Sequence, residues 1–383
     1  MQIPFENPIY ITRPLLPDLE NVSGKLQDIW ESRQVTNNGK QLQTLSQRLE
    51  EYLDVQHLSL FNNGTLALLL GLKALDLKGE VITTPFTFPA TVQALDWNQL
   101  TPVFCDIDPK TLNIDADKIE GLITENTTAI LAVHVFGNPC DTEKIQKTAD
   151  KYGLKVIYDA AHAFGAKIEG KPIGSFGDMT MFSFHATKLF HTIEGGALVF
   201  RDGALGRKLD LLKNFGILNP EEVVLSGLNA KMNEIQAGIG LEVLKGIEEE
   251  RKKRHLLKKM YEQHLRHIPG IRIITNLEYE QSSYQYFVIE IDEYQFGHSR
   301  DWLQKELEKF NVYTRKYFYP LCSEFDWYAN LESAKAENLP VASTCVRQVL
   351  SLPYYGGLEL QSVIKICKIF QELHADSEKI TQL

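Results

Sequence analysis

Lys188 lies in SFHATKLFHTIEGGALVF, where an apolar strand ends, the chain turns, and a glycine pair leads into the next apolar run. Thr187, Leu189 and Phe190 flank it. A lysine withdrawn from water has a depressed pKa and can serve as a Schiff-base nucleophile. A lone lysine at a strand end is otherwise a surface charge, so the whole segment carries the case. Asp159 closes the apolar run KVIYD, where a carboxylate must be solvated, paired or set opposite a cation. It could cap a helix or pair with an unseen base. Opposite a pyridine nitrogen it would keep the ring protonated, the state in which pyridoxal phosphate acts as an electron sink. Asn62-Asn63-Gly64-Thr65 runs straight into an apolar segment, and free N–H groups at a helix N-terminus suit a phosphate. Asn-Gly is also ordinary turn chemistry. In TTPFTFPAT (83–91), Phe86 or Phe88 could stack on a heteroaromatic ring or fill the core.

These groups need a scaffold that gathers them. In open α/β sheets, ligands collect beyond the carboxyl ends of the strands. HLSLF (57–61), EVITTP (80–85), PVFCDID (102–108), AILAVHVFG (129–137), KVIYDAA (155–161), TMFSFH (180–185) and GALVFR (196–201) read as strands. TLALLLGLKAL is apolar almost all round, as a buried helix is. Asp141 and Gly153 bracket another helix as its cap and stop. Strands separated by helices predict an α/β fold with a mostly parallel sheet covered on both faces.

After about residue 232 the pattern changes. A long helix runs through LEVLKGIEEERKKRHLLKKMYEQHL, with EEERKKR expected as a solvated face. IRIITN (271–276) and SYQYFVIEID (283–292) read as strands, SRDWLQKELEKF (299–310) as a helix, and the residues from about 360 as a terminal amphipathic helix. The expected division is an N-terminal arm and large cofactor-binding domain over 1–240, then a bridging helix and smaller α+β domain over 241–383.

The formal net charge of −10 argues against a nucleic-acid partner, which selects a basic footprint. The N-terminus lacks a basic stretch followed by an apolar core, and no apolar run is long enough for a membrane span. Five scattered cysteines form neither a CxxC pair nor a disulfide framework, so a reducing cytoplasm is expected. No GxGxxG follows the first strand, which counts against a nicotinamide enzyme.

The ordered set NNGT, PFTFPAT, DAAHAFG, SFHATK and EGGALV resembles the DegT/DnrJ/EryC1/StrS sugar aminotransferases, fold-type-I pyridoxal-phosphate enzymes that act on nucleotide-linked keto sugars. The likeness runs from PIYITRPLLP to SLPYYGG (351–357). It implies that Lys188 carries the cofactor and moves the proton, and that Asp159 pairs with the pyridine nitrogen. His162 would stand near the ring hydroxyl, with Phe88, rather than Phe86, over one ring face. Gly64, Thr65 and Ser183 would hold the phosphate. GLNAKMNEIQAG (227–238) resembles the family's interface-crossing segment, so Asn229 would reach the phosphate in the partner subunit of a homodimer. Some relatives carry histidine at the lysine position and dehydrate instead. Here Lys188 is present, and His185 and His191 are expected to make ordinary polar contacts.

PIYITRPLLP, ESRQVTNNGK and TRKYFYPL (314–321) look most like the members that aminate dTDP-4-keto-6-deoxyglucose at C4, with L-glutamate as donor. Thr36 and Gly39 would then lie in a loop beside the sugar. Arg315 would meet the pyrophosphate, and Tyr317 and Tyr319 would supply hydroxyls or stacking, or else fill the smaller domain's core. A UDP- or GDP-linked acceptor, amination at C3, and a non-catalytic cofactor-binding regulator are the alternatives. The resemblance suggests surface polysaccharide synthesis, such as O-antigen, as the setting.

Overall fold

The computed structural model describes residues 2–274 and 281–381, with side chains to residue 375. Seven strands form the main sheet: β1 (Leu58–Phe61), β2 (Glu80–Thr83), β3 (Thr101–Phe104), β4 (Thr127–Val133), β5 (Lys155–Asp159), β6 (Met179–Ser183) and β7 (Gly196–Phe200). Their order is β1-β7-β6-β5-β4-β2-β3, and only β7 runs against its neighbours. The expected mostly parallel α/β sheet is present. Register brings Asp159 beside Val133 and Met181, and Ser183 beside Gly196. Strand ends that the sequence placed far apart therefore share one sheet edge.

Helices cover the sheet because their apolar faces repeat where strands cannot. They are α1 (Leu19–Ser32), α2 (Lys40–Leu53), α3 (Gly64–Ala74), α4 (Pro89–Trp97), α5 (Thr142–Tyr152) and α6 (Ala204–Leu212). The α5 boundaries follow from the caps read in the sequence. Asp141 accepts from the Lys144 N–H, and Gly153 takes φ 67°, where a Cβ would be strained. Except for β1, the strands end earlier than read, two of them by four residues. The chain leaves β4 at Val133 and turns through Phe136 at φ 57°, while Asp106 beyond β3 is drawn away to accept from the Ala342 N–H at 2.9 Å.

The long helix α7 (Glu234–Leu265) begins before the expected run, because Asn233 and Gln236 form a capping box. Position 240 falls inside it. Beyond it β8 (Ile271–Ile274), β9 (Phe287–Ile291) and β10 (Val349–Leu352) make a three-stranded antiparallel sheet, and the last two residues of IRIITN lie outside the described residues. Helices α8 (Arg300–Lys309), α9 (Pro340–Gln348) and α10 (Leu360–Thr381) accompany it. Its core gathers Tyr261, Phe287, Ile289, Leu350 and Phe370. No described helix is long and apolar enough to cross a membrane.

The expectation for EEERKKR is corrected. Glu248, Glu249, Lys252 and Lys253 face water, but Glu250, Arg251 and Arg254 are buried, on the stripe of Ile247, Leu257 and Tyr261. The cause is a set of backbone carbonyls within reach of the two guanidinium groups. Arg254 pairs with Glu250 at 2.6 Å and donates to the Tyr284 carbonyl at 3.1 Å. Arg251 donates to the Ser282 carbonyl at 2.6 Å, and Glu250 accepts from the Gly356 N–H at 2.8 Å. Arg254→Met strands the Glu250 carboxylate, and we expect it to lower unfolding free energy by about 3–5 kcal/mol. Denaturant titration measures this; a change below about 1 kcal/mol contradicts the buried-pair account.

Candidate active site

Lys188 follows the β6 edge in a turn closed by its own N–H donating to the His185 carbonyl at 2.8 Å. Its side chain is half-buried, and Nζ lies 5.9 Å from the centre of the Tyr286 ring. Burial pulls the amine down to about 8, against the opposing pull of the Asp159 and Tyr317 charges. The lysine expected to be a poised nucleophile therefore has the surroundings of one.

Asp159 ends β5 in a buried position. One carboxylate oxygen accepts from the Thr91 hydroxyl at 2.7 Å and the other from the Ala161 N–H at 3.0 Å. Thr91 in turn lies 2.8 Å from the Thr87 hydroxyl. Burial raises the carboxyl's pKa, while Ala161, Thr91 and Lys188 oppose the shift. The group has two firm donors.

His162 is buried and stacked on Phe318, with centroids 5.6 Å apart and planes at 7°. Its Nδ1 has no hydrogen-bond partner among the described residues, and burial holds the ring well below the usual histidine pKa. Tyr286 meets its edge at 5.0 Å, and Tyr317 lies 5.3 Å from Tyr286. Burial pushes both phenols up to about 12, so they are neutral donors at physiological pH.

The two phenylalanines separate cleanly. Phe86 is fully buried between Phe136 and Phe318, whereas Phe88 is 56% exposed at the start of α4. Only Phe88 is free to cover a ring. At α3, Asn63 takes the Leu66 N–H, leaving the N–H groups of Gly64 and Thr65, which a helix cannot satisfy itself. A Cβ on Gly64 would stand 3.0 Å from the Ser183 Cβ, so turn and strand end meet in a narrow cradle.

Other expected residues lie apart. The Arg315 backbone pairs with Ser351, and its side chain is exposed. Tyr319 lies over Arg300 and Lys316 at 5.7 and 6.0 Å, rather than with Tyr317. Gly39 starts α2 against Glu234, whose carboxylate accepts from the Gln41 N–H at 2.7 Å. Thr36 is half-buried in the same loop, which borders a cavity of about 530 Å³ lined by Asn37, Asn38, Lys213 and Lys231. Asn229 is exposed and accepts from Lys231 at 3.0 Å, while the neighbouring Ala230 carbonyl accepts from the Asn62 N–H at 2.9 Å. His185 contacts the Thr187 hydroxyl and His191 the Leu15 carbonyl. A larger cavity of about 1020 Å³ is lined by Asp108, Lys144 and Arg201 among others and excludes Lys188 and Asp159.

Thr91 and Tyr286 were not singled out from the sequence. Thr91 stands in the quoted PFTFPAT run; Tyr286 ends a polar run, SSYQY, just before an apolar strand. That polar run is the one signal that could have marked it.

Comparison with known proteins follows this geometry. The pattern of the DegT/DnrJ/EryC1/StrS aminotransferase family matches residues 18–371. The dTDP-4-amino-4,6-dideoxy-D-glucose transaminase of Escherichia coli is 46% identical over 94% of this chain and 97% of its own. The protein of the same name from Shigella dysenteriae is 44% identical over 96% of this chain and 100% of its own. Among solved structures, DesI, determined with its TDP-sugar product, superposes with a TM-score of 0.93 at 34% identity, covering 100% of this chain and 96% of its own. Helicobacter pylori PseC, an aminotransferase of pseudoaminic acid biosynthesis, gives 0.89 at 29% identity, covering 97% of this chain and 100% of its own. Sequence, fold and site agree: this chain belongs to the DegT/DnrJ/EryC1/StrS aminotransferase family.

Proposed function

We propose that this chain transfers the amino group of L-glutamate to C4 of dTDP-4-keto-6-deoxyglucose, with pyridoxal phosphate, the cofactor of its family, held at Lys188. The observation that carries the reading is a lysine amine facing Tyr286 at 5.9 Å and interacting with the Asp159 carboxylate, which Thr91 and Ala161 fix. The cofactor fits the residues present. Gly64, Thr65 and Ser183 offer a phosphate cradle, Asp159 a counter-charge, and the unpartnered His162 Nδ1 a polar contact.

When bound, pyridoxal phosphate supplies the electron sink for the amine transfer. Lys188 Nζ, neutral above about pH 8, accepts and returns the proton that moves between donor carbon and cofactor. Asp159 keeps a negative charge where the ring nitrogen must stay protonated. Phe88 and the His162–Phe318 stack provide apolar surface that excludes water from the ring. Tyr317 and Tyr286 offer hydroxyls to the sugar, and Arg315 a guanidinium for its diphosphate. Thr36, Gly39 and Tyr319 are proposed at the substrate's outer edge.

The dTDP assignment rests on the two transaminases at 46% and 44% identity described above. The exposed apolar side chains of Ile193, Phe215, Val223 and Leu228 support a homodimer, in which Asn229 would enter the partner's site. We propose two domains, each with its own sheet and core, joined through α7 near residue 240. The function is tested by incubating the holoenzyme with L-glutamate and dTDP-4-keto-6-deoxyglucose and weighing the nucleotide sugar by mass spectrometry. Replacement of oxygen by an amino group supports the reading. Turnover with UDP- or GDP-keto sugars but not dTDP would overturn the substrate assignment, and a monomeric mass for fully active enzyme would overturn the dimer.

A further inference from the structure

The Lys188 turn is held by a side chain that the proposed reaction does not use. Gln285 is buried, just before β9. Its Oε1 accepts from the Leu189 N–H at 2.7 Å, and its Nε2 donates to the Thr187 carbonyl at 2.9 Å. Those are the two peptide groups immediately before and after the Lys188 Cα. A parallel β-bridge engages the same pair of groups, the carbonyl of the preceding residue and the N–H of the following one. One carboxamide thus replaces a whole strand neighbour. The amide orientation is unambiguous, since an N–H can only donate and a carbonyl can only accept.

Gln285 is itself anchored. The Ser282 and Tyr284 carbonyls accept from Arg251 and Arg254 of α7, and the Ser283 hydroxyl donates to the His162 carbonyl at 2.7 Å. Tyr286, the next residue, faces Lys188 Nζ at 5.9 Å. The segment 282–286 is therefore a strap fastened to α7 on one side and to the reactive loop on the other. Besides Gln285, His185 holds the turn, accepting from the Lys188 N–H at 2.8 Å and, through its ring, from the Thr187 N–H at 3.2 Å.

We infer that Gln285 is a positioning residue: its carboxamide clamps both peptides that flank Lys188 and so aims the lysine's side chain at the reacting carbon. This rests on Lys188 being the cofactor lysine. A clamp acts on geometry, and misplacing a catalytic group by about 1 Å can cost about 100-fold in rate without loss of substrate binding. Gln285→Leu keeps volume and removes both bonds, together with the carboxamide's hydrogen bond to Tyr286. Gln285→Glu keeps the acceptor for Leu189 and removes the donor to Thr187.

The test uses the loaded holoenzyme, with two readouts: steady-state kinetics, and the pH titration of the cofactor's visible absorbance. The clamp predicts that both variants load cofactor, that kcat falls about 10- to 100-fold while KM for the sugar stays within about threefold, and that the absorbance midpoint shifts from wild type. A merely structural role would lower melting temperature and leave the midpoint of the folded fraction unmoved. Wild-type kcat and midpoint in either folded variant overturn the assignment. If Gln285→Leu does not fold, Gln285→Glu decides alone. If wild type itself shows no visible band, the function reading fails first, and the two failures are distinguishable.

Discussion

Lys188→Ala should lose at least about 1,000-fold in transfer rate while the cofactor-free protein folds normally. General acid–base transfer alone contributes about 100- to 10,000-fold, and the variant also loses its covalent attachment for the cofactor. Stability should not fall. Burial lowers the folded amine from the ordinary lysine value to about 8, so its charged form is penalised in the folded state. That penalty is present at pH 7 and fades as pH rises through 8 toward the unfolded value. Alanine removes it, so the cofactor-free variant should melt at or above wild type near neutrality. Cofactor loading by wild type should accelerate as pH rises from 6 to 9, following the neutral amine. Calorimetry, loading rates and turnover check the three parts, and wild-type turnover in the variant would end the reading.

Asp159→Asn should act in opposite directions on activity and on stability. Losing the fixed negative charge should cut turnover by about 100-fold or more, comparable to losing one preorganised electrostatic partner. Asparagine keeps the shape and can still accept from Thr91 or Ala161. The folded carboxyl's pKa is raised by burial, so the ionised form costs stability above the unfolded carboxylate pKa, including at pH 7. The cofactor-free variant should therefore be as stable as wild type or more so, and any gain should vanish as pH falls toward the carboxylate range. Unchanged turnover would remove Asp159 from its assigned place. A large loss of stability at pH 7 would instead make it a structural carboxylate.

Much of this site was legible because local signals coincide with the ends of strands. Asp141 and Gly153 mark α5 by cap chemistry that depends on a few neighbouring residues. Lys188 and Asp159 stood out because each closes or follows an apolar run, Ser183 entered through the resemblance, and the parallel sheet brings such ends together. Contacts made across the chain left no comparable trace. Arg251 and Arg254 look like a solvated run until the carbonyls of Ser282 and Tyr284 are in place. Tyr286 and Gln285 lie about a hundred residues from Lys188, and no periodicity couples them. Tyr319 was grouped with Tyr317 by proximity in sequence, but the backbone sends it to Arg300. Asn229 was placed in a partner's site by the resemblance, and within one chain it is exposed.

The central claim is that Lys188 carries a cofactor that takes nitrogen from an amino acid and gives it to a nucleotide-linked keto sugar. The most direct measurement is the visible absorbance of purified protein with pyridoxal phosphate, followed through additions of L-glutamate and then dTDP-4-keto-6-deoxyglucose. The account predicts a yellow band that bleaches with glutamate and returns with the sugar. A protein that forms no band contradicts it at its first step. A band that bleaches and never returns with any nucleotide-keto sugar contradicts the acceptor class.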